Sequence, residues 1–402
     1  MRQSTFATLS LPWAASPPQE SKSIPGDSTL LAITIVLTFV GVVMVFSASG
    51  VMAETKYHDS WYFLKRQLTW LSVGLVLMHV VSKIDYTLWK KLSFPLLFLT
   101  TTLLILALLP SLGTVAKGAR RWLHVGPINI QPAEFAKFVM VIYVAGYISR
   151  KQDQVAHFAR GLLPPMIILG ALSTLVLLEP DLGTVVVISL IVVLLLFLSG
   201  ARIKHLGLLS LGILPAIAAL IFGSSYRWNR IMGFWRGAQD PSGMGYQAMQ
   251  SVLAFGSGGT FGVGLGKGQQ KLFFLPEPHT DFILAVIGEE LGLVGTVAIM
   301  LLYGLLILKG FQIAARARDP FGRYLAMGIP MLIGTQALIN AGVVTGLLPT
   351  KGLTLPLVSY GGSSLVASLF GIGILLNISR DRLAGRESGE FRRRQKRATL
   401  TA

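Results

Sequence analysis

The amino-acid sequence predicts an all-α fold, a polytopic integral membrane protein of about ten transmembrane helices with a large extracytoplasmic loop between helices 7 and 8. Three observations support this prediction. Of the 402 residues, 52% are hydrophobic and only 13% are charged. The mean hydropathy is +0.64. Several apolar runs exceed the roughly 18 residues that a helix needs to cross a bilayer.

The ten predicted spans end where an apolar run meets charged residues, glycine or proline. They cover residues 29–49, 66–82, 93–112, 132–149, 162–179, 183–199, 206–224, 282–308, 324–346 and 361–379. Together they form one transmembrane domain, 29–379, with its large extracytoplasmic loop at 225–281. A disordered N-terminal tail, 1–28, and a basic C-terminal tail, 380–402, flank this domain. Counted with both tails, the Lys and Arg residues of alternate loops place both termini in the cytoplasm.

Cysteine is absent, and the net charge is +17. The absence of cysteine excludes disulfides, thiol nucleophiles and thiolate metal sites. The six histidines show no spacing typical of a structural zinc site. In a soluble protein this charge would suggest nucleic acid, but here the cations lie beside membrane spans. We therefore expect the basic run 392–397 to contact anionic membrane lipids, and we expect no nucleic acid partner.

The stretch from Leu272 to Gly292 carries the strongest functional signal. It contains five ionisable residues, Glu277, His279, Asp281, Glu289 and Glu290. The first three lie in a proline-punctuated loop, and the last two lie inside the eighth predicted span. If that helix starts near Thr280, a rise of about 1.5 Å per residue puts the two glutamates roughly 12–14 Å deeper than Asp281. Carboxylates at such depth usually have a function, although Asp281 can alternatively cap the helix.

Further acids and cations are predicted at the same face of the membrane. They are Arg66, Arg120, Arg121, Glu134, Lys137, Asp181 and Lys351. Lys137, three residues after Glu134, also suits an intrahelical ion pair or a cation that reaches up to the interface. Asp181 also suits a helix N-cap. The segment 349–364, rich in Pro, Gly and Ser, predicts irregular backbone at membrane depth, which must be buried in protein or line a cavity.

Acids and cations at one bilayer surface suit a substrate with a lipid anchor, a phosphate and a polar head. Nucleotides are scarce outside the cytoplasm, so a transfer reaction there needs a leaving group that the lipid already carries, such as pyrophosphate. One carboxylate would accept the proton of an attacking hydroxyl, and cations would stabilise the pyrophosphate. Coupled transporters use similar groups, so transport stays an alternative. The run 262–268 is not a phosphate loop, because Gly268 stands where such a loop needs Ser or Thr.

Four motifs together resemble the SEDS family of bacterial shape and division proteins. They lie within residues 131–137, 179–184, 244–294 and 359–364. They include Gln-Pro-Ala-Glu-Phe-Ala-Lys, Glu-Pro-Asp-Leu-Gly-Thr, Leu-Pro-Glu-Pro-His-Thr-Asp-Phe-Ile and Ser-Tyr-Gly-Gly-Ser-Ser, in the family's order and spacing. The resemblance covers roughly residues 30–380 and is closer to the family's division members than to its elongation members.

The resemblance implies a peptidoglycan glycosyltransferase that polymerises lipid II into glycan strands at the outer face of the cytoplasmic membrane, at the division septum. It implies an inverting transfer with Asp281 as the general base. The substrate-binding residues that it implies are Arg66, Arg121, Gln131, Glu134, Lys137, Asp181, Glu277, His279, Lys351 and Ser359. A divalent cation, Mg²⁺ or Mn²⁺, would suit the pyrophosphate. The implied partners are lipid II, the growing glycan strand, a class B penicillin-binding protein (an FtsI-like transpeptidase) and other division proteins.

Two alternatives come from other functional classes. A lipid II flippase would use the same polar groups to move headgroups across the bilayer. A non-catalytic division scaffold would recruit partners through its tails.

Overall fold

The computed structural model describes residues 27–116, 119–126, 128–209, 211, 222–223, 228, 232, 234, 244–350 and 352–380. The helices are α1 (Ser28–Tyr57), α2 (Tyr62–Val81), α3 (Thr87–Leu108), α4 (Pro132–Arg150), α5 (Leu163–Leu178), α6 (Leu182–Leu198), α7 (Met244–Gly258), α8 (Ile283–Ala314), α9 (Pro320–Val344) and α10 (Gly362–Arg380). A short 3-10 turn (Gln152–Gln154) and a π-turn (Phe158–Leu162) precede α5. Residues 203–209 are also helical.

Nine of the ten predicted spans coincide with a helix, and the polytopic all-α architecture is confirmed. Within the described part of the chain, seven helices are long and apolar enough to cross a membrane, namely α1, α3, α4, α5 with its π-turn, α8, α9 and α10. Helix α6 is apolar but has 17 residues. Helix α2 has 20 residues and carries Lys65 and Arg66 near its start. The seventh predicted span, 206–224, lies largely outside the described residues, as do both tails.

Helix α4 forms the centre of the bundle, and nearly all of its side chains are buried. It packs against α3, α6 and α9. Glycines permit close approach of the helices. A Cβ at Gly328 of α9 would lie 2.6 Å from Val141 Cγ1 of α4, and one at Gly371 of α10 would lie 2.5 Å from Phe138 Cε1. Contacts through small residues are typical of membrane bundles, because lipid provides no hydrophobic drive for helix association.

The two ends of the described chain meet at one end of the bundle. The Asp27 N–H donates to the Ser379 hydroxyl at 3.0 Å. The Asp27 carboxylate lies 3.7 Å from Lys309 Nζ. The Arg380 guanidinium donates to the Ser82 carbonyl at 3.1 Å. These bonds connect α1, α8, α10 and the end of α2 at the face opposite the acid-rich loops.

The outer loop 113–131 differs from the prediction, because it forms a three-stranded antiparallel sheet. The strands, in spatial order, are β1 (Gly113–Ala116), β2 (Ala119–Val125) and β3 (Ile128–Ile130). Side chains alternate along β2, which packs against α3 and α4. Ala119 and Leu123 are buried, Arg121 on their side is half-buried, and Arg120 is exposed. Of the two candidate arginines, only Arg121 therefore lies on the side of β2 that carries the buried residues. Strands this short carry too little alternation to be recognised in sequence.

The predicted loop 225–281 contains the helix α7 among its described residues. Helix α7 packs against α8, and the contact is close because a Cβ at Gly258 would lie only 2.0 Å from the carbonyl oxygen of Gly288. Helix α8 is interrupted at Gly292, where φ is 69° and ψ is −167°. A Cβ at Gly292 would lie 2.3 Å from the backbone nitrogen of Gly262. The interruption is therefore filled by the chain that follows α7.

Candidate functional site

The candidate site is built around residues 352–364, which we call the central segment. It has no regular secondary structure before α10 and is largely buried. The Tyr303 hydroxyl donates to the Pro356 carbonyl. The Ser359 hydroxyl accepts from the Leu355 N–H at 2.8 Å. The prediction of irregular backbone buried inside the protein is thus confirmed, with its polar groups bonded internally.

Asp281 is held at the edge of the central segment by the backbone around it. The carbonyls of His279, Thr280 and Asp281 accept from the Tyr360 N–H at 2.9 Å, the Ser359 hydroxyl at 2.6 Å and Asn340 Nδ2 at 2.8 Å, respectively. Helix α8 begins at Ile283 with Phe282 at its N-cap position, so Asp281 lies one residue before the cap. The Asp281 carboxylate is half-buried, and its Oδ2 lies 3.2 Å from where a Cβ on Gly352 would stand.

His279 and Glu277 belong to the loop that leads to Asp281. His279 is buried, with its ring 4.4 Å from the Phe63 ring and 5.5 Å from the Tyr360 ring. The carboxylate of Glu277 accepts from the Thr280 hydroxyl at 3.2 Å. The backbone φ of Glu277 is 57°, a left-handed conformation that costs a non-glycine residue about 1–2 kcal/mol. Such strained backbone is frequent near functional sites.

Lys137 and Glu134 form a buried ion pair inside the bundle. The Lys137 ammonium lies 2.8 Å from Glu134 Oε2 and donates to Gln336 Oε1 at 2.6 Å. Lys137 is 1% exposed, so its ammonium is enclosed by protein. Gln336 Nε2 donates to the Thr354 carbonyl at 2.9 Å. The intrahelical pair is therefore present, and it connects α4 through α9 to the central segment.

Gln131 and Arg66 contact the part of the central segment next to α10. The Gln131 N–H donates to the Ser363 hydroxyl at 3.0 Å. Arg66 is exposed, lies 4.9 Å over the Tyr62 ring and hydrogen-bonds to Tyr360. Burial raises the pKa of the Tyr360 phenol, and Arg66 opposes this shift. Tyr360 is therefore a neutral group that orients the arginine.

Asp181 caps α6, which confirms the prediction that it serves as a helix N-cap. Its Oδ1 accepts from the Thr184 N–H at 3.0 Å, and its Oδ2 accepts from the Thr184 hydroxyl at 2.8 Å. Asp181 also borders the central segment, because a Cβ at Gly183 would lie 3.0 Å from Leu353 Cγ and 3.5 Å from Asp181 Oδ1. Asp281 and the start of α6 therefore both lie close to the beginning of the central segment, at Gly352 and Leu353.

Glu179 and Arg121 complete this side of the site. Glu179 is fully buried, and neither of its carboxylate oxygens has a hydrogen-bond partner among the described residues. Burial and the charge of Asp181 raise the pKa of Glu179, the charge of Arg121 opposes them, and the resulting pKa is about 8. The charge of Arg121 therefore acts on Glu179, the residue that ends α5.

Glu289 and Glu290 bind the chain that follows α7, at residues 266–271. Glu289 Oε1 accepts from the Gln269 N–H at 2.7 Å. Glu290 Oε1 pairs with Lys271 Nζ at 2.6 Å, and its Oε2 accepts from the Gly266 N–H at 3.1 Å. The depth of these carboxylates is thus explained by internal anion binding. The two carboxylates also occupy backbone N–H groups that a phosphate loop would offer to a nucleotide.

Gln336 and Asn340 are site residues that the sequence reasoning missed. They lie four residues apart in α9 and therefore on one face of it. Asn340 Nδ2 donates to the Leu353 carbonyl at 2.7 Å as well as to that of Asp281. Two amides on one face of an apolar span were a usable signal, because polar side chains inside a membrane usually face a partner.

One predicted binding residue, Lys351, lies outside the described residues. Within the described ranges, no group of three or more His, Asp or Glu side chains is arranged to hold a metal ion.

Comparisons with known sequences agree with this architecture. The family model described as cell cycle protein, FtsW/RodA/SpoVE, matches residues 27–383. A probable peptidoglycan glycosyltransferase FtsW of Trichlorobacter lovleyi is 48% identical over 353 residues, covering 88% of this chain and 93% of the relative. Stage V sporulation protein E of Bacillus subtilis is 42% identical over 360 residues, covering 90% of this chain and 98% of the relative.

Two solved structures share the fold. A chain from a structure described as "Structural coordination of polymerization and crosslinking by a peptidoglycan synthase complex" aligns with a TM-score of 0.74 and 31% identity, over 89% of this chain and 98% of that one. The rod shape determining protein RodA of Thermus thermophilus aligns with a TM-score of 0.64 and 30% identity, over 89% and 97%. This chain belongs to the FtsW/RodA/SpoVE family of cell cycle proteins, the SEDS family that its motifs resemble.

Proposed function

We propose that this protein is a peptidoglycan glycosyltransferase that polymerises lipid II into glycan strands at the outer face of the cytoplasmic membrane. The relative at 48% identity is named a probable peptidoglycan glycosyltransferase. The observation that carries the proposal is the placement of Asp281. Its backbone is held by the central segment and Asn340, and its carboxylate is half-buried beside Gly352, directly before the first turn of α8. A carboxylate held in this way is suited to proton transfer.

In the proposed reaction, Asp281 accepts the proton of the 4-hydroxyl of the acceptor sugar. The freed oxygen attacks the anomeric carbon of the lipid-linked donor from the side opposite the pyrophosphate. The bond between that carbon and the pyrophosphate oxygen breaks, and its electron pair leaves with the pyrophosphate. One displacement inverts the α-linked donor to a β-1,4 product, so the reaction needs one base and no carboxylate nucleophile.

Accessibility divides the predicted binding residues into two groups. Arg66 is exposed and Arg121 is half-buried, so both guanidinium groups can reach a pyrophosphate and stabilise its developing charge. Lys137 is enclosed by Glu134 and Gln336, and its direct role in binding stays a prediction. Its contacts favour a positioning role, because they fix the central segment that borders Asp281.

The partners and location follow from the same proposal. A class B penicillin-binding protein would crosslink the strands, in keeping with the synthase complex whose chain shares this fold. We place the protein at the division septum with both termini in the cytoplasm. A bound Mg²⁺ or Mn²⁺ would need the substrate's phosphate oxygens among its ligands, and no step above depends on it.

The test is glycan synthesis from purified lipid II by the detergent-solubilised protein with its class B partner. Asp281→Asn is nearly isosteric but has no basic carboxylate, so glycan synthesis should fall by about 10²–10⁴-fold. The control is Asp59→Asn, which changes a half-buried outer acid that pairs with Lys65. It should retain normal synthesis. Both variants must be membrane-inserted and bind the partner.

Two results would contradict the proposal. Equal glycan ladders from wild type and Asp281→Asn would remove Asp281 as the base. No ladder from wild type with an active partner would favour a flippase, because a transporter makes no polymer in detergent, where there is no second leaflet.

A further inference from the structure

Arg66 is held by an aromatic ring, whereas the buried cation Lys137 is held by a carboxylate. The guanidinium carbon of Arg66 lies 4.9 Å over the centre of the Tyr62 ring. Lys137 pairs with Glu134 at 2.8 Å. A carboxylate neutralises the cation that it binds, but a ring attracts a cation through its quadrupole and carries no charge of its own. The contact with Tyr62 therefore holds Arg66 and leaves its positive charge for an anionic ligand.

The turn between α1 and α2 fixes the Tyr62 ring. Tyr57, the last residue of α1, stacks on it with the ring centroids 4.0 Å apart and an interplanar angle of 11°. Phe63 meets it edge-on at 5.2 Å. The Tyr62 N–H donates to the Asp59 carbonyl at 3.0 Å. Arg66 follows Tyr62 by four residues, so both lie on one face of α2 and their contact is built into the helix.

Phe63 connects this stack to the residues around Asp281. The buried Phe63 ring meets the Tyr360 ring of the central segment edge-on at 5.1 Å, and it lies 4.4 Å from the His279 ring. The Tyr360 N–H donates to the carbonyl of His279, two residues before Asp281. Arg66 and the backbone that holds Asp281 are therefore both attached to one aromatic cluster.

We propose that Tyr62 is a positioning residue whose ring holds the Arg66 guanidinium ready for the pyrophosphate of a lipid-linked substrate. This inference rests on the proposed function. Arg66 is exposed, and a free arginine side chain samples many rotamers. The ring restricts this freedom before the substrate arrives, so less entropy is lost when the guanidinium binds phosphate oxygens. Tyr62 acts through Arg66 and does not touch the reacting atoms.

The first measurement is equilibrium binding of lipid II to the purified full chain in detergent, with Asp281→Asn in every variant so that substrate is not consumed. Tyr62→Leu should raise the Kd by about 2–5-fold, which corresponds to a cation–π contact of about 0.5–1 kcal/mol. Tyr62→Phe restores an aromatic ring and should recover at least half of this loss. The matched control is Trp61→Leu, which removes a ring of the same turn that packs on Phe46 at 4.8 Å. Its Kd should equal that of the parent protein.

A double-mutant cycle separates positioning of Arg66 from a general structural role. In an Arg66→Gln background, Tyr62→Leu should no longer change the Kd, because the group on which Tyr62 acts is absent. A polyprenyl pyrophosphate without sugars should show the same dependence on Tyr62 as lipid II, because the phosphates are the ligand. If Tyr62→Leu lowers the yield of folded protein, the cycle is repeated with Tyr57→Leu, which changes an exposed ring of the stack and should raise the Kd in the same direction.

The outcomes separate this inference from the proposed function. An unchanged Kd in Tyr62→Leu overturns the inference, and so does an equal rise in Trp61→Leu or an equal effect of Tyr62→Leu with and without Arg66. An effect seen with lipid II but not with the sugar-free pyrophosphate overturns it as well. Failure of the proposed function shows elsewhere, because wild type would then make no glycan while the Kd values still decide the role of Tyr62.

Discussion

Replacing Glu290 by glutamine should destabilise the protein by about 4–6 kcal/mol. Lys271 Nζ lies 2.6 Å from Glu290 Oε1, and the two residues are 6% and 1% exposed. The amide leaves the Lys271 ammonium buried without a counter-charge, which typically costs about 3–5 kcal/mol. An NH2 group in place of Oε2 also removes the acceptor of the Gly266 N–H, now at 3.1 Å, for about 1 kcal/mol more.

The measurement is unfolding of the purified protein in detergent, together with hydrogen exchange at the Gly266 amide, which should become faster in Glu290→Gln. The chain offers a matched control in the pair Lys65–Asp59, which has a similar distance of 2.8 Å but side chains that are 67% and 33% exposed. Lys65→Met should leave the melting temperature nearly unchanged, because water already solvates both charges.

The double variant Glu290→Gln/Lys271→Met completes the cycle. It removes both charges, so no unpaired ion stays buried, and it should regain much of the lost stability. Equal melting temperatures of Glu290→Gln and Lys65→Met would refute the cost assigned to the buried ammonium, and so would a double variant less stable than Glu290→Gln.

Two further sets of variants test the centre of the site and the topology. Lys137→Met should lose about 3–5 kcal/mol of stability, because Glu134 stays buried without its cation. Adding Glu134→Gln should restore both stability and glycan synthesis, whereas a stable double variant without synthesis would assign Lys137 to the ligand. Cysteines introduced at Lys56 and Gln152, both exposed, should react with impermeant labels from opposite sides of the membrane, Lys56 from outside. Labelling of both from one side would contradict the helix arrangement.

The helices and the position of the site could be predicted because their signals are local. Apolar runs, capping aspartates and prolines each act within a few residues, and nine of ten spans coincide with helices. The segments 277–281 and 349–364 stood out because polar and helix-breaking residues interrupt apolar sequence there. The sequence predicted that both segments lie at the same face of the membrane, but it did not specify their contacts. In the structure, Ser359 and Tyr360 donate hydrogen bonds to the backbone of the first segment.

The remaining contacts join residues that are distant in sequence, and no local pattern specifies them. Lys137 and Gln336 are 199 positions apart, and Ser47 lies 243 positions from Glu290, whose carboxylate it contacts. The depth of Glu290 in its helix was predictable, but its binding to Lys271 depends on the path of the chain after α7. Packing decides such pairs, because a buried polar group takes whichever partner the fold brings within reach.

The hydrogen bond between Asp27 and Ser379 has a consequence for proteins that bind the tails. Residues before 27 and after 380 begin from neighbouring points at one end of the bundle. A protein bound to one tail is therefore present at a high effective concentration near the other tail. A single protein that grips both tails would gain avidity, about 10²–10⁴-fold over either contact alone. Fluorescent domains fused to the two ends should accordingly show energy transfer within one molecule.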